Sequence, residues 1–83
     1  MKVKVRYRAS LAQLINVNEE MLDVKTVSDV LKHIKKTYGK EAEKKAKSMI
    51  IAVNGQSILL MKIFKTQLLE GDEVSFLPIC GGG

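Results

Sequence analysis

The chain has 83 residues and a formal net charge of +5, and 46% of its residues are hydrophobic. This length accommodates one folded domain, because stable domains rarely contain fewer than about 50 residues. The proportion of apolar residues excludes an intrinsically disordered chain. Since so short a chain cannot wall a deep cleft on every side, we do not expect a self-contained enzyme.

The residue types that common catalytic and metal sites require are scarce. The chain has one cysteine, Cys80, and one histidine, His33. A zinc site and a cysteine or serine nucleophile system therefore lack their parts, and we predict neither catalytic residues nor metal ligands. We interpret His33 as a surface residue that flanks a helix. A lone cysteine, with no recognisable leader or long apolar run, predicts a cytoplasmic protein that binds no membrane.

The N-terminal region predicts a hairpin. Basic residues alternate with Val3, Val5 and Tyr7, which is the pattern of a strand with one apolar face. Residues 10–16 have apolar side chains at helical spacing but are few, so a helical turn and a loop both remain open. Residues 20–24 predict a second strand, with Leu22 and Val24 on one side.

An amphipathic helix is predicted over residues 27–38, where apolar residues recur at helical spacing. Thr26 and Asp29 have the spacing of a capping box, with Asp in place of the usual Glu. Gly39 is expected to close the helix in the left-handed conformation. A second, short polar helix is predicted over residues 41–47.

The net positive charge lies in residues 32–47, which contain seven lysines and two glutamates. Glu41 precedes Lys45 by four residues, and Glu43 precedes Lys47 by four, which is the favourable helical order for ion pairs. We interpret this segment as an ordinary solvated helix face, with a binding role as the alternative.

A second hairpin is predicted in the C-terminal half. Residues 49–53 are rich in β-branched side chains, and Asn54-Gly55 is a strong signal for a type I′ turn. Residues 57–61 form the predicted return strand. Leu68-Leu69 predicts a packed corner, which residues 70–72 follow as a tight turn.

The last predicted strand covers residues 73–79. Val74 and Phe76 lie on one of its faces and further apolar residues on the other, which indicates a central strand. Pro78 lacks a backbone donor and should mark the end of ladder pairing. The order of hairpin, helix, hairpin and strand predicts an α+β fold, with one main helix packed across the sheet.

Three glycines follow Cys80 at the end of the sequence. Such a run contributes no packing and favours a mobile arm, so we predict a folded domain over residues 1–79 and a flexible tail over 80–83. At about 3.3 Å per residue the tail spans roughly 13 Å, enough to enter a tunnel in another protein.

The segments 68–74 (LLEGDEV), 76–78 (FLP) and 82–83 (GG) together resemble the ubiquitin-like sulfur carriers. This family includes the small subunit of molybdopterin synthase and the thiamine-pathway sulfur carrier. The helix start at 26–31 and the turn at 53–55 are similar to the family in the same order. The resemblance covers nearly the whole chain and implies a β-grasp fold with a mixed sheet.

The resemblance also implies a chemical cycle and a set of partners. The Gly83 carboxylate would be adenylated with ATP by an enzyme similar to ubiquitin-activating enzymes and then converted to a thiocarboxylate. Gly81 and Gly82 would enter the partner, which supplies the catalysis, so the carrier binds no cofactor itself. Phe76 and Pro78 are candidates for a docking patch, with burial inside the domain as the alternative.

The resemblance identifies the pathway that accepts the sulfur less narrowly than it identifies the chemical cycle. The large catalytic subunit of molybdopterin synthase is the expected acceptor, because the length leaves room for extra segments at 9–18 and 39–48. Thiazole synthase of the thiamine pathway is the alternative. A ubiquitin-like modifier that forms isopeptide bonds with lysine would use the same tail. Few aromatics accompany the basic segment, so we expect no nucleic-acid partner.

Two departures from the family pattern concern the tail. The family requires a terminal glycine pair, whereas this sequence ends in three glycines. We choose Gly83 as the reactive residue, with Gly82 as the alternative. Cys80 replaces a small apolar residue and is interpreted as a small hydrophobe, although its thiol could instead form an adduct with a sulfur species.

Overall fold

The computed structural model describes residues 1–58 and 66–79. The predicted strand residues 59–61 and the tail residues 80–83 lie outside this part of the chain. The elements, in chain order, are β1 (Lys2–Tyr7), α1 (Ala9–Ile15), β2 (Glu19–Asp23), α2 (Val27–Tyr38), α3 (Lys40–Lys47), β3 (Ile50–Val53), β4 (Gln56–Ser57) and β5 (Glu73–Leu77).

The strands form one mixed sheet in the order β2-β1-β5-β3-β4. β5 lies parallel to β1 and antiparallel to β3, and the other pairs are antiparallel. The inward side chains of β1 and β5 join those of α2 in one buried cluster. The prediction of a mixed sheet with a main helix across one face is therefore confirmed.

The first hairpin has the predicted strands and an added helix. Val3, Val5 and Tyr7 are at most 1% exposed, as the alternating pattern predicts. The undecided segment forms α1, which buries Leu11 and ends at Asn16 in the left-handed region (φ 59°, ψ 36°). β2 begins and ends one residue earlier than predicted.

The predicted bounds of α2 and its capping box are confirmed. The Asp29 backbone N–H donates to Thr26 Oγ1 at 3.2 Å, and the Thr26 N–H donates to Asp29 Oδ2 at 3.2 Å. The Lys25 N–H also donates to Asp29 Oδ2. These backbone bonds, that from Lys25 above all, hold the pKa of Asp29 below its usual value. The carboxylate thus satisfies two amides where the helix begins.

Gly39 differs from the prediction in its ψ angle. Its φ is 103°, a positive value that glycine accommodates, but its ψ of 173° is extended rather than left-handed helical. The physical reason is that α3 begins at the next residue, so Gly39 must both end α2 and start α3. α3 packs through Ala42 and Ala46, which are buried as expected. No helix in the described ranges is both long and apolar enough to cross a bilayer.

The second hairpin turns at Asn54-Gly55, where both residues have positive φ (52° and 83°). Positive φ at both positions is the geometry of a type I′ turn, as predicted. β3 begins at Ile50, one residue later than predicted. The return strand β4 covers Gln56–Ser57, and its predicted continuation falls largely outside the described residues.

β5 is the central strand that the sequence predicts. Val74 and Phe76 are fully buried, and ladder pairing stops at Leu77, directly before Pro78. The predicted corner is half right: Leu68 is 3% exposed, whereas Leu69 is 67% exposed. The Leu69 N–H donates to Asp72 Oδ2 in the turn that follows, so this part of the backbone lies at the surface.

The capping box predicts the effect of a substitution at Thr26. Thr26→Ala should lower the free energy of unfolding by about 1 kcal/mol, because the Asp29 amide loses its acceptor. Thr26→Ser keeps the hydroxyl and should retain most of the stability. Urea unfolding followed by circular dichroism measures both, with Ser28→Ala as a control that removes a hydroxyl from the same turn. Equal stability of the Ala and Ser variants would argue against the cap.

Candidate functional site

The chain leaves the sheet at the end of its central strand. Tyr7 is paired with Phe76 on one side of β5, and Ile50 is paired with Leu77 on the other. The last described residues, Pro78 and Ile79, are both exposed. The predicted reactive residue Gly83, together with Gly81, Gly82 and Cys80, follows this exit and lies outside the described residues.

Phe76 does not belong to a surface patch. Its side chain is fully buried, and its ring is stacked on Tyr7 with the ring centroids 5.8 Å apart. The prediction of Phe76 as a docking residue is therefore wrong, because β5 presents this side chain to the helices. Pro78 is exposed, and its docking role stays a prediction.

The outward side chains near this exit are apolar. Ile50 is 37% exposed, and its strand partner Leu77 is half-buried. Ile79, two residues beyond Leu77, is 58% exposed. We call Ile50, Leu77 and Ile79 the exit strip. An exposed apolar strip of this kind is a suitable surface for a protein partner.

The outward face of β1 is charged and largely compensated. Lys4 Nζ lies 3.6 Å from Glu19 Oε2 on β2. Arg6 Nε lies 3.1 Å from Glu73 Oε1 on β5, close enough for an ion pair although not aligned as a hydrogen bond. Exposed pairs of this kind contribute at most about 1 kcal/mol each. Of these two ion pairs, the one between Arg6 and Glu73 involves β5, the strand that ends at Leu77 of the exit strip.

A side-chain cluster around Glu20 connects β1, β2 and α2. The Tyr7 hydroxyl donates to Glu20 Oε2 at 2.6 Å, and the Tyr38 hydroxyl donates to the same oxygen at 2.9 Å. His33 Nε2 lies 3.2 Å from this oxygen as well. The prediction that His33 is merely a flanking surface residue is wrong, since its ring is half-buried in this cluster.

The cluster keeps its tyrosines protonated. Burial, followed by the hydrogen bond and the charge of Glu20, raises the pKa of Tyr7 far above its usual value. The same causes raise the pKa of Tyr38 to about 12. Both hydroxyls therefore act as donors to the carboxylate at neutral pH. Because Tyr7 also stacks on Phe76, the cluster supports the strand that leads to the exit.

The start of β5 is held by a second polar contact. The Asn54 side-chain amide donates to Asp72 Oδ1 at 2.9 Å, and the Glu73 N–H donates to Asn54 Oδ1 at 2.9 Å. The Leu69 backbone N–H, together with the Asn54 amide, lowers the pKa of Asp72. The turn of the second hairpin therefore anchors the segment that enters the central strand.

The described residues contain no group of three or more histidine, cysteine, aspartate or glutamate side chains placed to hold a metal ion.

One of the two helical ion pairs predicted for the basic segment is present: Lys47 Nζ lies 3.8 Å from Glu43 Oε2. The prediction of an ion pair between Glu41 and Lys45 is wrong, because no such ion pair occurs within the described ranges.

The raised pKa of Tyr38 predicts a loss of stability at high pH. Tyrosine ionises near pH 10.0 in the unfolded chain and at about 12 here, so the free energy of unfolding should fall as the pH rises through this window. Glu20→Gln should lower the pKa of Tyr38, since the negative charge is removed.

Ultraviolet absorbance of tyrosinate measures this titration directly, because the chain has two tyrosines and no tryptophan. Glu19→Gln is the matched control, as Glu19 lies on β2 but pairs with Lys4. Ionisation of both tyrosines near pH 10.0 in a chain that stays folded would contradict the geometry of the cluster.

Three known proteins match this chain over nearly their whole length. A curated protein of Archaeoglobus fulgidus, described as a candidate sulfur carrier, is 32% identical over 91 aligned positions that span both chains. The small archaeal modifier protein 1 of Methanosarcina acetivorans superposes with a TM-score of 0.79 at 28% identity, covering 99% of this chain and 96% of the modifier.

The third protein belongs to a complex of subunits 1 and 2 of the molybdopterin-converting factor of Helicobacter pylori. The matching chain has a TM-score of 0.71 at 25% identity, and all of both chains is covered. These likenesses confirm the β-grasp fold that the sequence predicts.

The sequence profile of the ThiS family matches residues 5–83, which include the second half of β1, the other four strands and the terminal glycines. This match confirms the resemblance carried by the segments around β5 and the terminal glycines. The chain belongs to the ThiS family.

Proposed function

We propose that this protein is a sulfur carrier that bears sulfur as a thiocarboxylate on Gly83. The observation that carries the proposal is the course of β5, which runs through the centre of the sheet and leads at its end toward the glycine tail. Membership of the ThiS family and the likeness to the Archaeoglobus fulgidus protein support it.

The proposed cycle needs two steps at the same carboxyl carbon. A carboxylate oxygen of Gly83 attacks the α-phosphate of ATP, and pyrophosphate leaves. A sulfide-level nucleophile, HS⁻ or its equivalent, then attacks the carbonyl carbon of the acyl-adenylate. The bond from this carbon to the bridging oxygen breaks, AMP leaves with that oxygen, and Gly83 keeps a thiocarboxylate. An adenylating enzyme similar to ubiquitin-activating enzymes binds the ATP and supplies positioning and charge stabilisation, so this chain acts without catalytic residues or a cofactor of its own.

The tail sequence suits entry into such an enzyme. Gly81, Gly82 and Gly83 have no side chains, so a narrow passage needs to accommodate only backbone. The exit strip of Ile50, Leu77 and Ile79 lies at the base of the tail and is proposed to seat against the partner. Pro78 lies between the last two of these residues and belongs to the same proposed surface.

The proposed acceptor is the large catalytic subunit of molybdopterin synthase. The likeness to a chain in the complex of molybdopterin-converting factor subunits 1 and 2 supports this choice. In such a pair, the loaded tail would deliver sulfur to a pterin precursor inside the larger subunit. The thiamine-pathway alternative, with thiazole synthase as acceptor, stays a prediction from the sequence.

A second candidate function is protein modification. It is favoured by the likeness to the small archaeal modifier protein 1 of Methanosarcina acetivorans. The same activated carboxyl would then be attacked by a lysine amine of a target protein, which gives an isopeptide bond. Tryptic digestion separates the two functions, because only a modifier leaves its last tryptic peptide, residues 66–83, as a branch on the lysines of other proteins.

Deletion of Gly82 and Gly83 tests the proposed reactive end. The shortened chain should fold as before, because β5 ends at Leu77, but it should gain no sulfur after incubation with the activating enzyme, ATP and a sulfur donor. Intact-mass spectrometry should show one sulfur in place of one oxygen on the full chain only. Cys80→Ala is the matched control and should load normally. Loading of the shortened chain to the same extent would contradict the proposal.

Ile79→Asp tests the exit strip. The charge should weaken binding to the large subunit by about tenfold, because a carboxylate would be desolvated at an apolar contact. Isothermal titration calorimetry measures this affinity. Met21→Asp is the control, since Met21 is 59% exposed but lies on the edge strand β2, two strands away from β5 by way of β1. If both variants weakened binding equally, or if neither weakened it, the exit strip would not be the binding surface.

A further inference from the structure

A groove between α1 and α3 is left unused by the proposed cycle. One wall is formed by Ser10, Gln13 and Leu14 of α1, and the other by Glu41, Lys44 and Lys45 of α3. Its volume of about 640 Å³ accommodates several side chains. The two helices belong to the layer that packs on the inward face of the sheet, since Leu11 and Ala46 join the buried core.

The α1 wall is uncharged and carries an exposed apolar side chain. α1 consists of ASLAQLI, which contains no ionisable residue. Leu11 is fully buried beneath the helix, whereas Leu14 is 48% exposed at the groove. A leucine in this position presents an apolar contact that the folded chain does not itself cover.

The α3 wall has a net positive charge, because Lys44 and Lys45 line it together with a single glutamate, Glu41. Lys44 and Lys45 have no carboxylate within ion-pair distance among the described residues, and the expected partner Glu41 does not approach Lys45. This wall lies within residues 32–47, which hold the net charge of the whole chain. The groove therefore combines an apolar seat with two free ammonium groups.

We propose that this groove is a second docking surface, which binds an acidic amphipathic segment of a partner protein. An apolar side chain of that segment packs on Leu14, and its carboxylates pair with Lys44 and Lys45. Charge complementarity selects an acidic partner, and the apolar seat gives the contact a defined position. Because the exit strip lies on the outward face of the sheet, the carrier can bind at both surfaces at once.

A nucleic acid fits the groove less well than a protein segment. Among the residues that the structure describes, no aromatic side chain lines the groove for base stacking. Leu14 would contribute nothing to a phosphate contact. An oligonucleotide is therefore the competing probe of the test rather than part of the proposal.

The test is a titration of the isotope-labelled chain, followed by nuclear magnetic resonance at about 150 mM salt, where nonspecific attraction is screened. The probe is a synthetic helical peptide of leucine, alanine and glutamate, and its matched control has glutamine in place of glutamate. Amide shifts should be confined to α1 and α3 and should be absent with the glutamine peptide. No shift with the acidic peptide, or shifts spread over all the helical lysines, would overturn the proposal.

Variants separate the groove from general charge. The double variant Lys44→Glu with Lys45→Glu should weaken binding of the acidic peptide by about tenfold. Leu14→Gln should weaken binding by a similar factor, because it removes the exposed apolar side chain without changing the charge. Lys32→Glu with Lys36→Glu makes the same change of charge on α2 and should have little effect. Equal loss in the α2 variant, or tighter binding of a single-stranded oligonucleotide at the same amides, would overturn the proposal. The amide spectrum of each free variant shows that it is folded.

Discussion

The parallel pairing of β1 with β5 is the interaction on which the rest of the structure depends. It joins the first strand of the chain to the last described one and places both at the centre of the sheet. Val5 is paired with Val74 and Tyr7 with Phe76, and all four side chains are at most 1% exposed. β2 and β3, which flank this pair, are antiparallel to it. Because β5 runs parallel to β1, the chain leaves the sheet at the same edge at which β1 ends.

Polar contacts hold both ends of that central pair. The Glu20 carboxylate binds the hydroxyl of Tyr7, whose ring supports Phe76 near the end of β5. At the other end, Asn54 contacts both Asp72 and Glu73 where β5 begins. These contacts tie the strand to the hairpins on either side of it. In the proposed function, such a scaffold positions a reactive end whose chemistry a partner supplies.

The sequence predicts those elements whose signals are local. The bounds of α2 follow from its apolar spacing and from the Thr26–Asp29 cap, whose partners are three residues apart. The turn at Asn54-Gly55 follows in the same way, because few residue pairs accept positive φ at both positions. α1 stayed undecided because its seven residues are too few for a helical period to stand out.

Features that depend on tertiary contacts are harder to predict. β5 has apolar residues on both faces, so the sequence does not show that Phe76 points inward while Leu77 borders the surface. The partners of Glu20, which lies on β2, come from β1 and α2 and share no motif. One signal was present: Glu20 has the same strand parity as the inward residue Leu22, and a carboxylate on that face requires donors.

In the proposed function, the sulfur is carried by the terminal carboxyl group and not by the thiol of Cys80. Tandem mass spectrometry of the loaded chain, prepared with its activating enzyme, ATP and a sulfur donor, locates the added atom directly. Fragments containing Gly83 are expected to hold one sulfur in place of one oxygen, while Cys80 is expected to be unchanged. Sulfur added to Cys80, with an unaltered carboxyl at Gly83, would contradict it.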